Sequence, residues 1–202
     1  MRFFNYVTEN RPEETPWSAA DPEHLLKLLK HDCKQFLDAT RGFVFFRGDT
    51  ASFRFYGTKK PRSDRRPLDS PKLLHDTLDK VLFKQFGWKP RSEGVFATKS
   101  HGIASDFALK GTTYLFFPIG DFKFVYNTKW SDLFAWWRDA PKHGTTEHEV
   151  IEQMKDDGVY DTFTDKNLNK VTHQSEVSFK CKEYYLVNPD WFTNDYRRRL
   201  FI

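Results

Sequence analysis

The sequence predicts an α+β fold, a single mixed domain over residues 1–202 with an N-terminal helical segment (1–40) and an α+β core (41–202). Three observations predict it. Helix-like periodicity comes early and short apolar strands dominate the second half, without the regular βαβ alternation of a doubly wound sheet. The chain holds 21 Phe and 6 Trp, and a core of large flat side chains suits sheets better than helix bundles. No repeat, low-complexity tract or long linker divides the 202 residues, a length suited to one well-packed core.

Taken in order, residues 21–39 read as the first helix. Asp21 is its cap, Pro22 suits the first helical position, and Leu25, Leu28, Leu29, Phe36 and Leu37 form its apolar stripe. Phe43 to Phe46 follow as a short buried strand ending in Arg47-Gly48. After a basic loop, Ser70-Pro71 opens a second helix carrying Leu73, Leu74, Leu78, Val81, Leu82 and Phe86, with Gly87 as its stop. "GVFATKS" reads as a strand, "GIASDFAL" as a short helix, and "TYLFFPI" and "FKFVYN" as two more strands. "WSDLFAWWRD" and "TEHEVIEQMKDDG" read as helices, the latter with Thr146 and Glu149 at capping-box spacing. "HQSEVSFKCKEYYLV" reads as strand, turn and strand, and an aromatic and basic tail ends the chain.

Composition narrows the class. Charged residues make up 30% and the net charge is +4, which suits a soluble protein and permits an acidic partner without demanding one. Cys33 and Cys181 stand far apart without metal spacing, so both read as reduced, buried thiols of a cytoplasmic protein. The N-terminal stretch has no long apolar run, which predicts neither a secretion signal nor a membrane span.

The familiar motifs for phosphate cradles, zinc peptidases and hydrolase elbows are absent. "HGTTEHE", with His143, Glu147, His148 and Glu149, has metal-like residue types but reads equally as a capped helix start, and no metal is expected. What remains is polar residues at strand ends. Arg47 and Gly48 close one strand, Thr98 and Ser100 close "VFATKS", and Gln174 and Glu176 open "QSEVSF". Ser100 also stands where it could cap the following helix.

In this order, "FFRG", "VFATKS" and Gln174-x-Glu176 resemble the Arg–Ser–Glu pattern of the ADP-ribosyltransferase fold, and the local context is similar to the small mono-ADP-ribosyltransferases of phages. The resemblance runs from about Phe43 to Val187. It departs from the family at Ala97, where the first serine usually stands, and at Lys99, where another small hydroxyl is expected. It implies two packed, mostly antiparallel sheets with flanking helices, NAD as substrate, and a phage or toxin-like effector working in a host cytoplasm. Glu176 would be the catalytic carboxylate, stabilising the oxocarbenium-like charge at the ribose C1′ as nicotinamide leaves. Arg47 and Gly48 would bind the dinucleotide, Thr98 or Ser100 would brace the glutamate or ribose, and Gln174 would face the acceptor. In the family, glutamine at that place goes with acceptors other than arginine.

A second reading stays open beside this one. Lys59, Lys60, Arg62, Arg65, Arg66 and Arg197 to Arg199 mix with Tyr56, Trp191 and Tyr196. Basic groups beside aromatics suit a non-enzymatic nucleic-acid- or protein-binding module, or a nucleic-acid acceptor for the transferase.

Overall fold

Two short helices stand where the sequence predicts one. The computed structural model describes residues 22–62, 70–108, 111–131, 133–139 and 143–201. Within them, α1 (Pro22–Asp32) and α2 (Lys34–Thr40) are separated at Cys33, whose φ of −110° and ψ of 18° depart from helical values. Leu29, Cys33 and Phe36, at helical spacing across the break, line one face and are fully buried. Arg41 ends α2 in the left-handed region, donating its N–H to Leu37 O at 3.1 Å. The cap assigned to Asp21 lies outside the described residues.

The sheet is built from β1 (Phe45–Asp49), β2 (Tyr56–Lys59), β3 (Val95–Thr98), β4 (Thr112–Asn127), β5 (Phe163–Thr164) and β6 (Glu176–Val187). Each pairing is antiparallel. β1 pairs with β3, β3 with β6, β6 with β4, and β4 back with β1, so these four strands close a barrel. β2 adds to β6, and the short β5 adds to β4. One closed barrel thus replaces the two packed sheets the sequence reading implied, while the mixed α and β, mostly antiparallel character holds.

Two long strands make closure possible. The segments "TYLFFPI" and "FKFVYN" join in the 16-residue β4, which bends at Gly120 (φ 66°) and shifts register between Ile119 and Phe122. "HQSEVSFKCKEYYLV" forms one continuous strand from Glu176, because Cys181 still pairs with Phe122 where a turn was expected. Each long strand bends across the barrel and bonds neighbours on both of its edges.

The core fills from aromatic residues. Phe36 of α2 lies 5.6 to 6.3 Å, ring centre to ring centre, from Phe45, Phe116, Phe117, Phe122 and Phe179, mostly edge to face. A second cluster joins three of the other helices. Leu74, Leu78 and Val81 of α3 (Lys72–Phe86) pack with Trp136 and Trp137 of α6 (Leu133–Asp139) and with Val150 and Met154 of α7 (Glu147–Asp156). Leu82 and Trp88 meet Val125 on β4, which ties that cluster to the barrel. The other α-helices among the described residues are α4 (Pro90–Glu93), α5 (His101–Phe107) and α8 (Asn194–Leu200). Among the described residues no helix is long and apolar enough to cross a membrane.

Candidate active site

The strands that carry the three predicted features are neighbours, in the order β6, β3, β1. Thr98 stands directly opposite Glu176, and Phe46 directly opposite Thr98. Directly paired residues share a face, so Thr98 and Glu176 project together. Glu176 is the first residue of β6, and its N–H reaches Ser131 O at 3.2 Å. Its carboxylate is 28% exposed and accepts Arg91 Nη1 at 2.9 Å.

Arg91 comes from α4, the four-residue helix between α3 and β3. The buried carboxylate of Asp79 accepts the N–H groups of Arg91 (2.7 Å) and Ser92 (3.0 Å), together with the Ser92 hydroxyl. The Arg91 guanidinium lies over the Phe96 ring, Cζ to centroid 4.8 Å. Its Nε is buried without a hydrogen-bond partner among the described residues.

Each remaining predicted residue has a clear place. Arg47 and Gly48 lie inside β1, not at its end, because pairing with β4 continues through Asp49 and Thr112. Alternation turns Arg47 away from Thr98 and Glu176. Its Nη1 donates to Phe96 O at 3.0 Å, its Nε stands 3.7 Å from the buried Asp49 carboxylate, and its Cζ is 6.0 Å from the Tyr184 ring. Lys59 Nζ donates to both oxygens of Asp49, at 2.9 and 3.0 Å, so the acid in the barrel wall is balanced by two cations. Gly48 touches backbone: a Cβ there would collide with Ala104 O and the backbone of Ala108. The glycine is therefore what lets α5 lie directly on β1.

Thr98 is buried, accepting Ser100 N at 3.2 Å and donating to His173 O at 3.5 Å. Ser100 caps α5, its Oγ accepting Ile103 N at 3.3 Å. Gln174 stands exposed in the turn before β6, outside the strand, so strand alternation does not set its direction. Ala97 faces the core beside Val177. Lys99 Nζ reaches Val171 O at 2.7 Å and Asn169 O at 3.1 Å, over the Phe43 ring, and burial pulls its pKa below the ordinary lysine value.

Much of the basic surface carries acidic or carbonyl partners. Lys60 pairs with Glu183, Arg198 with Asp195, Arg199 with Glu23, and Arg197 donates to Gly42 O. Arg65 and Arg66 lie outside the described residues. At "HGTTEHE", Glu149 completes the Thr146 capping box and His143 stacks on Trp137 at 5.0 Å. Among the described residues no group of three or more His, Cys, Asp and Glu side chains could hold a metal ion. Cys33 and Cys181 are free thiols, and burial raises the pKa of both, that of Cys181 to about 12, which makes them poor nucleophiles.

Arg91 and Asp79 escape sequence reasoning. The only local sign is Pro90 at the first position of a helical turn, and nothing in the sequence links it to a carboxylate 85 residues later. Comparison of the chain with protein-family models, curated proteins and solved structures gave no match to any of them.

Proposed function

We propose that the chain is a mono-ADP-ribosyltransferase that uses NAD as its substrate and modifies a protein or nucleic-acid acceptor. One observation carries the reading: Glu176, a half-exposed carboxylate at a strand start, stands directly opposite Thr98 on the strand beside the one that bears Arg47. A hydroxyl strand beside a glutamate strand accords with the motif resemblance, while Arg47 itself projects from the opposite face.

The chemistry asks little else of the protein. The bond between nicotinamide N1 and ribose C1′ breaks with its electron pair going to nicotinamide, which leaves neutral. Positive charge then spreads over C1′ and the ring oxygen. A carboxylate at Glu176 hydrogen-bonds the 2′-hydroxyl and stabilises that charge. The acceptor's lone pair closes on C1′, and the acceptor loses a proton. Gln174, exposed just before Glu176, suits contact with that acceptor.

The test is nicotinamide release from NAD with the full chain, alongside thermal stabilisation by NAD. Wild-type protein releases nicotinamide, and Glu176→Gln lowers kcat by about 100- to 1,000-fold while still melting cooperatively. Absence of both nicotinamide release and NAD stabilisation in the wild type overturns the proposal, and full activity in Glu176→Gln overturns the site.

A further inference from the structure

A dinucleotide bound beside Glu176 brings a pyrophosphate, and this needs a cation with donors to spare. Arg47 has its guanidinium on Phe96 O and beside Asp49, on the face away from Glu176. Arg91 is differently placed. Its guanidinium carries five N–H donors, and its bond to Glu176 uses one of them. Nε is buried without a partner among the described residues, so part of the cation's hydration is lost with no bond in return. The side chain is nonetheless held in place, by the Phe96 ring beneath it and by Asp79 at its backbone. A preorganised, under-satisfied guanidinium touching the candidate catalytic carboxylate is a phosphate-binding group by its chemistry.

We infer that Arg91 is the residue that binds the pyrophosphate of the dinucleotide at this site, and that it decides between phosphorylated and unphosphorylated nicotinamide ribosides. The inference rests on the ADP-ribosyltransferase reading above. When the dinucleotide enters, its non-bridging phosphate oxygens accept from Arg91, and Glu176, held by Arg91 in the free protein, turns to the ribose 2′-hydroxyl. Arg91 makes and breaks no covalent bond. It is a specificity-determining residue.

The test compares binding of NAD with binding of nicotinamide riboside, which keeps the scissile bond and lacks both phosphates, by calorimetry on the full chain. Arg91→Gln weakens NAD by tenfold or more and leaves nicotinamide riboside within twofold of wild type. Arg91→Lys, which keeps the charge without the fork, falls between them. The salt dependence of NAD binding flattens in Arg91→Gln. Equal weakening of both ligands means that Arg91 acts only by orienting Glu176 and overturns the inference, as does unchanged NAD binding in either variant. A wild-type protein that binds no NAD and releases no nicotinamide marks a different failure, that of the transferase reading itself.

Discussion

The buried carboxylate of Asp79 accepts the backbone N–H of Arg91 at 2.7 Å, so a residue of α3 fixes the start of the helix that supplies the partner of Glu176. With Ser92 N–H and the Ser92 hydroxyl on the same carboxylate, Asp79 does for α4 what a capping side chain does locally, from twelve residues away.

Replacing Asp79 by Ala leaves two N–H groups without an acceptor and releases α4. Stability falls by about 1–3 kcal/mol. The more specific consequence is at the site, where nicotinamide release drops as it does in Arg91→Gln. Denaturant unfolding and NAD turnover measured on the same preparation check both, and an Asp79→Ala protein with wild-type turnover removes Asp79 from the support of Arg91.

Gly48→Ala puts a methyl group against the backbone of Ala104 and Ala108, which no side-chain rotation relieves. α5 must lift from β1, at a cost of about 3 kcal/mol. The melting temperature reads this directly. A neutral substitution would show that α5 does not sit on the strand in solution.

Lys99→Met keeps the length of the side chain and removes the donor shared by Asn169 O and Val171 O. The segment leading to Gln174 loses its tie to β3, and the protein loses about 1–3 kcal/mol. Hydrogen exchange quickens across residues 167–175 before it does in the barrel strands. Uniform protection across the chain in Lys99→Met would argue against that tie.

The start of α7 gives a pH dependence with a definite sign. The Thr145 hydroxyl, its N–H and the N–H of Thr146 all donate to Glu149, holding its pKa at about 2 against an ordinary value of 4.5. The folded value is the lower one, so the stabilisation is complete above about 4.5 and is lost as pH falls through about 2. The stability difference between wild type and Glu149→Gln is therefore flat near neutrality and closes over that acid range. Melting curves along a pH series measure it, and a difference that persists at the lowest pH would place its origin elsewhere.

Several elements were legible in the sequence because local chemistry alone decides them. Pro71 before α3, Gly87 after it in the left-handed region, and the Thr146–Glu149 box each fix a helix end within a few residues. The long strands were not legible as such. Lys180-Cys181-Lys182 and Pro118 to Asp121 look like turns, and the pairing of β4 with β6 on either side of the register shift carries both strands through them. Arg47-Gly48 reads as the end of a strand, yet β1 runs on to Asp49, whose buried carboxylate Lys59 and Arg47 neutralise. For the site, Thr98 and Glu176 were found as strand-end polar residues, and their pairing follows from β3 and β6 being neighbours. Arg91 could not be found that way, because a four-residue helix has no periodicity and its partner is brought to it by the barrel.

The central place of β6 sets the order in which the molecule can form. β6 bonds β3 and β2 along one edge and β4 along the other, yet it is the last of the described strands. The barrel has no closed intermediate without it, and loop-closure entropy must be met before any of those pairings is gained. Until β6 is made, β2 has no strand partner and β3 and β4 each keep one edge open, although β1 already joins them. A chain truncated before β6 keeps those edges open, so the expected product is an aggregation-prone chain instead of a smaller domain.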